Sequence, residues 1–345
     1  MECDEKIIES SADMQVINPP DLDALQEQET RTLSGRTPLW KRVFPFLTAG
    51  GILAYLFWHI DTRQCLAAFT QADISLYIPW LIVFIGASFI MDTQNLMETL
   101  RHFRYPISFR DTLSIRGVTY LLMTIDYSLG LGALVYYLKR NLSIPIMRST
   151  GLMLYFNGIT HFALVIMAVI GLLILTPSSP VLQHFLIFCI SFILIDVGIV
   201  SILKMLPNRG LMLKIKNFNA IKVFHEAPWA TYWALTFWRG IYYVLFIAFF
   251  YVAVRAFHMT IPLTTLIAYV PIILLIISLP IAPCGFGTAQ AAMIYLFKGY
   301  GTSENIMAFG LTYSTSIILS RSLIGLFFAN TINEVKQNFA KQEKS

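Results

Sequence analysis

The chain has 345 residues, of which 56% are hydrophobic, 14% aromatic and 13% charged, with a formal net charge of +5. Soluble domains carry about 25% charged residues, so this charge deficit, with a mean hydropathy of +0.64, excludes an ordinary soluble globule and points to an all-α polytopic membrane protein. The bases are scattered between apolar runs and form no single face, which argues against a nucleic-acid partner.

Residues 1–37 hold nine of the twenty acids and three of the twenty-five bases. With Asn18-Pro19-Pro20 and a Gln/Glu-rich run, this segment reads as a disordered acidic cytoplasmic tail. It has no signal-peptide pattern, and the first apolar run is expected to act as an uncleaved signal anchor. Cys3, Cys65, Cys189 and Cys284 make no CxxC or zinc spacing. Cys189 and Cys284 lie in apolar stretches and suit packing.

A membrane span needs about 20 apolar residues. Runs of that kind cover about 39–58, 77–97, 151–176, 181–204, 228–256 and 304–330. Two further apolar regions are interrupted: 108–138 by Asp126, Gly130 and Gly132, and 262–298 by Pro262, Pro271, Pro280, Pro283, Gly285 and Gly287. Basic residues mark cytoplasmic loops. Arg36, Lys41 and Arg42 put the N-terminus inside, and Arg101, Arg104, Arg110 and Arg116 bring the chain back to that side. A single crossing by 108–138 then sends Lys139, Arg140, Arg148 and Lys204 outside. If both interrupted regions dip in and return, every basic loop becomes cytoplasmic, as do the C-terminal Lys336, Lys341 and Lys344.

The predicted fold therefore has eight hydrophobic segments: about six full spans plus two re-entrant helical hairpins in an inverted-topology repeat, an arrangement common among secondary transporters. The transmembrane domain is placed at 38–335, with repeat halves at about 38–176 and 181–332 and a cytoplasmic tail at 336–345. The hairpins share a faint signature, Gly130-Leu131-Gly132 before Tyr137 and Lys139, and Gly285-Phe286-Gly287 before Tyr295 and Lys298. Between the halves, Leu211, Ile215, Phe218, Ile221 and Phe224 recur at helical spacing, with Lys214, Lys216 and Lys222 expected to face headgroups.

Ionisable groups inside spans are costly and mark either a functional site or an internal pair. Here they are Asp92, Asp126, Asp196, Arg239 and Arg321, with Asn95, Glu98, Asn157 and His161 nearby. At about 1.5 Å per residue, Asp196, Arg239 and Arg321 share one depth in the inner half of the bilayer. Asp196 and Arg239 either pair to glue helices, or Arg239 and Arg321 hold a lipid phosphate, for which the bidentate guanidinium is suited. Gly285 and Gly287 either let an anionic headgroup approach the start of a half-helix or allow close hairpin contact. Gln290 faces either that cavity or a neighbouring helix. His161 reads as a satisfied core histidine. No catalytic constellation, metal-ligand spacing or cofactor motif is present.

Pro280-x-x-Pro283-Cys284-Gly285-Phe286-Gly287-Thr288-Ala289-Gln290-Ala291, followed by Lys298-Gly299-Tyr300-Gly301 and Ser320-Arg321-Ser322-Leu323, resembles the C-terminal signature of the lysylphosphatidylglycerol synthase transmembrane family, which includes flippase-like proteins. Gly130-Leu131-Gly132-Ala133 through Lys139-Arg140 resembles that family's first hairpin. The family pattern has Glu where this chain has Gln290, and another Glu where it has Ala133. If those acids receive a cationic headgroup, the resemblance implies a different lipid here, or no transport. The sequence runs about 15 residues past its last span, and the resemblance is therefore expected to cover the transmembrane part without the family's cytosolic synthase domain.

The resemblance implies a multi-pass protein of the bacterial inner membrane, both termini cytoplasmic, that moves or binds a lipid or lipid-linked sugar between leaflets and is not an enzyme. Its partners are then membrane lipids with an anionic or lipid-linked headgroup. A homo-oligomer or an export-system partner stays open. Two alternatives remain: a non-transporting accessory subunit of a lipid or polysaccharide export system, and a membrane-embedded lipid-modifying transferase with Asp92 and Glu98 as its acids.

Overall fold

The computed structural model describes residues 39–125, 127–176, 179–205, 219–279, 281–282 and 285–342. The expected acidic tail, Asp126, Cys284 and the stretch of the basic segment before 219 lie outside the described residues. The chain divides after Phe44, and every contact below lies within residues 45–345.

All regular structure among the described residues is helical. The first half contains α1 (Leu39–His59), short α2 (Thr62–Gln71), long α3 (Ile74–His102), the pair α4 (Phe109–Ile125) and α5 (Tyr127–Leu142), and long α6 (Ile146–Leu175). The second half repeats the order: α7 (Pro180–Met205), short α8 (Asn219–Glu226), long α9 (Trp229–Ala256), the pair α10 (Leu263–Ser278) and α11 (Thr288–Phe297), and long α12 (Ser303–Gln342). Five of these, α3, α6, α7, α9 and the first 26 residues of α12, are long and apolar enough to cross a bilayer. The sixth expected span is α1, whose 21 residues reach about 31 Å at about 1.5 Å each.

Local chemistry sets the helix starts. Asp73 caps α3, accepting from Leu76 N–H at 3.0 Å and Ser75 Oγ at 2.6 Å; the Ser75 bond, then the Leu76 bond, hold its carboxyl below the usual range. Pro145, Pro228 and Pro262 sit at the N-caps of α6, α9 and α10, where a missing N–H and a fixed φ cost nothing. Pro262, read from sequence as an interruption, therefore begins a helix, and Pro271 lies within it.

The internal repeat is visible in backbone hydrogen bonds. At the end of α3, Phe103 and Tyr105 N–H both reach Leu100 C=O, and Arg104 N–H reaches Arg101 C=O. At the end of α9, Phe257 and Met259 both reach Val254 C=O, and His258 reaches Arg255 C=O. Arg104 and His258 carry the same left-handed φ, 63° and 56°. These matched helices run antiparallel: Asp73 N–H meets Ala256 C=O at 2.8 Å at one end, and Thr231 Oγ1 lies 2.6 Å from His102 Nε2 at the other. Equivalent helices pointing in opposite directions are what an inverted repeat requires.

Contacts between the halves are reciprocal. Arm α4 packs on α12, and its counterpart α10 packs on α6. Both contacts are closed by glycine, as helices in lipid gain most from close backbone approach. A Cβ on Gly325 would meet Leu121 N at 2.9 Å, and one on Gly171 would meet Ala268 Cα at 2.5 Å. Both hairpins fold back on themselves. Gly130 of α5 lies against Thr119 and Met123 of α4, while Thr265 Oγ1, at the start of α10, lies 3.1 Å from Tyr300 Oη, just past the end of α11.

Of the basic segment, the described part is α8, with Lys222 exposed. Ala220, Val223 and Ala227 are buried, and the helix lies against α6 and α7. Glu226 ties it to Arg148 at 2.6 Å. A Cβ on Gly151 would come within 2.4 Å of Ala220 O. Gly151→Ala is therefore expected to cost about 1–3 kcal/mol, seen as a lower thermal midpoint in detergent.

Candidate functional site

Two apolar clusters fill the bundle. One gathers around α9, α10 and the first half of α12; the other gathers where α3 ends and α6 begins. Between them lies a polar layer. Its centre is Asp92, 2% exposed, with Arg116 at 6% and Arg239 at 5%. Arg116 Nε donates to Asp92 Oδ2 at 2.6 Å, Arg239 Nη1 to Oδ1 at 2.6 Å, and Tyr120 Oη to Oδ2 at 2.8 Å. Arg239 Nε also donates to Thr160 Oγ1 at 3.1 Å. Both guanidiniums lie over the Phe156 ring, 5.4 and 5.0 Å from its centroid. Such desolvated cation–ring contacts are favourable and help hold two like charges together.

The residues come from α3, α4, α6 and α9, so one carboxylate joins both halves of the repeat. Its depth follows from helix geometry. Ser88 lies 14 residues from either end of α3, and Asp92 is about one turn beyond it toward the basic end. Asp92, with one oxygen held by each arginine, is their shared counter-ion. Glu98, proposed with it as an acid, accepts from Gln94 at 2.9 Å instead.

Arg321 of α12 joins the layer from the side. Its guanidinium lies 5.3 Å from the Tyr120 ring centroid. It lines a cleft with Phe84, Ile85 and Ser88 of α3, Tyr120, Tyr242 and Phe246, and Ile317, Ser320 and Ile324 of α12. The cleft encloses about 20 Å3, room for about one water molecule. In this conformation the site is closed to a headgroup.

The other expected residues fall elsewhere. Asp196 does not pair with Arg239. It accepts a short hydrogen bond from Tyr232 Oη, and Tyr232 lies seven residues before Arg239 on α9, about 10 Å away. Gly285 and Gly287 adopt left-handed φ values of 72° and 84°, which only glycine takes without strain. Their surroundings are protein: a Cβ would meet Ile277 at 2.8 Å in one case and Ala49 O at 3.2 Å in the other. Gln290 is 0% exposed and faces a neighbouring helix. It accepts from Gly287 N–H at 2.7 Å and donates to Gly310 O and Ser314 Oγ, each at 3.0 Å. Asp126 lies outside the described residues. His161 Nδ1 donates to Asn157 C=O at 2.8 Å, the satisfied core role expected. Arg116 and Tyr120 had not been singled out from sequence, since Arg116 follows Arg101, Arg104 and Arg110 and reads as one more loop charge.

Residues 42–325 match the lysylphosphatidylglycerol synthase TM region family. The chain belongs to this family. No individual curated protein matches it. Membership identifies a multi-pass membrane protein and connects it to lipid handling, and the match covers both halves of the inverted repeat and the whole arginine layer.

Proposed function

We propose that the protein carries a lipid or lipid-linked sugar between leaflets and performs no covalent chemistry. The observation that carries this reading is the arginine layer beside the cleft. Arg116 and Arg239 meet at Asp92, with Arg321 beside them over the Tyr120 ring, close to mid-depth and at the interface of inverted repeats. Sites for transported substrates lie in that place in inverted-repeat carriers. Arginine remains charged there and binds phosphate bidentately, so the headgroup is an anionic phosphate. The basic end of the bundle, with Arg101, Arg104, Arg110, Lys139, Arg140 and Arg148, is assigned to the cytoplasm, with both termini, in a bacterial inner membrane.

The test is transbilayer movement of fluorescent phosphatidylglycerol in vesicles containing the full chain. Arg321→Ala is expected to slow movement about tenfold or more, the loss of one charge-assisted bond, and Arg321→Lys to retain part of the rate. Equal rates in all three proteins would remove Arg321 from the pathway.

A further inference from the structure

Three pairs of equivalent residues set the register of the repeat. Leu100 matches Val254 and Arg104 matches His258 at the ends of α3 and α9, and Gly171 matches Gly325 in the reciprocal arm contacts. All three pairs have the same spacing along the chain, so the equivalent of any nearby position can be read off in the other half.

One cluster breaks the symmetry. At the basic end Arg148, in the first turn of α6, donates from Nε to Tyr105 Oη at 2.6 Å and from Nη2 to Glu226 Oε2 at 2.6 Å, with Nη1 3.5 Å from Oε1. Lys222 Nζ lies 3.7 Å from the same carboxylate. The equivalents of Arg148, Tyr105, Glu226 and Lys222 at the other end are Thr302, Met259, Ala72 and Ala68. The joint there has the same build, with α2 against α12 as α8 lies against α6. Met259 lies beside Gly301, and Ala68, Ala72 and Met259 are buried in one apolar cluster. Equivalent joints are thus fastened by charge at one end and by apolar contact at the other.

The place of the charged cluster shows what it holds. Tyr105 lies in the turn between α3 and α4, and α4 carries Arg116 and Tyr120. Glu226 ends α8, two residues before Pro228 caps α9, and α9 carries Arg239. Arg148 therefore ties together the leads into the two helices whose arginines meet on Asp92. We infer that Arg148, Glu226 and Tyr105 form a latch that keeps the arginine layer shut at the basic end, and that α4 and α9 part there when the latch breaks. Isolated surface ion pairs contribute little, but a two-pronged arginine in a network is the exception, and the Arg148 side chain is mostly buried. That the latch gates a transport path rests on the carrier reading above, since inverted-repeat carriers open their two ends in turn.

The test places a cysteine at Thr236, a buried position on α9 one turn before Arg239, in the full chain in detergent. Its reaction with an uncharged maleimide is followed by peptide mass spectrometry. Glu226→Gln is expected to raise the rate about tenfold, the loss of one charge-assisted bond. Arg148→Glu combined with Glu226→Arg, which exchanges the charges, is expected to return the rate close to that of the parent. Glu304→Gln, which removes a carboxylate from the first turn of α12 at the other end, is expected to leave it unchanged. An unchanged rate in Glu226→Gln, an equal rise in Glu304→Gln, or no return in the exchanged protein would overturn the latch. Should a variant not fold, the Thr236→Cys protein with its latch intact decides. Its labelling is expected to quicken several-fold as KCl screens the pair, and a rate indifferent to salt overturns the latch. Faster labelling in Glu226→Gln without transbilayer movement by the unaltered chain keeps the latch and removes the carrier. Movement by the unaltered chain with labelling indifferent to Glu226→Gln keeps the carrier and removes the latch.

Discussion

Asp92→Ala is expected to destabilise the protein by about 3–5 kcal/mol, the cost of leaving a buried charge uncompensated. Arg116 and Arg239 are both buried, both bonded to this carboxylate, and both over one ring, Phe156. Without Asp92 they repel each other where water is scarce. Unfolding in detergent, followed by heat or denaturant, reads the loss. Replacing all three together, as Asp92→Leu with Arg116→Met and Arg239→Met, is expected to recover most of it, because apolar groups of similar volume replace buried ion pairs at little cost. A loss below about 1 kcal/mol in Asp92→Ala, the range of an exposed pair, would show that the two arginines do not depend on Asp92.

Gln290→Leu comes next, at about 2–4 kcal/mol, since it strands buried donors and acceptors while keeping most of the volume. The amide fixes the start of α11 through Gly287 N–H and fastens it to α12 through Gly310 and Ser314. Gln290→Glu restores the acid of the family pattern and keeps the Gly287 bond, but above the carboxyl's titration it sets a negative charge against the Gly310 carbonyl oxygen. Its stability is therefore expected to fall as pH rises and to recover in acid, where the protonated group donates one bond. The thermal midpoint of each variant across pH checks both statements. A Gln290→Leu protein as stable as the parent would show that this junction does not hold the second hairpin.

Much of the fold was legible because the bilayer restricts the choices. Basic residues at loop ends and the Gly and Pro run at 280–287 were enough to place two returning hairpins, and the matched ends of α3 and α9 now carry the repeat into hydrogen-bond detail. The site was legible only as depth. Asp92, Arg239 and Arg321 each stood out as charges inside spans, but sequence does not say which helices are neighbours. Asp196 was as good a partner for Arg239 by depth as Asp92, and only the antiparallel contact of α3 with α9 decides for Asp92. Arg116 was hidden among loop arginines because nothing in its spacing shows that α4 begins seven residues before it. Gln290 stayed open between a cavity and a neighbouring helix, because sequence does not show that the turn at Gly287 needs a side chain to satisfy its buried N–H, the role the amide fills.

Transbilayer movement of fluorescent phosphatidylglycerol in vesicles carrying the unaltered chain tests lipid carriage most directly. An impermeant quencher added outside reaches only the outer leaflet of protein-free vesicles. With the protein present, quenching is predicted to continue past the outer-leaflet fraction toward completion as inner-leaflet lipid emerges. A plateau identical to that of protein-free vesicles, for phosphatidylglycerol and for a polyprenyl phosphate alike, would contradict it.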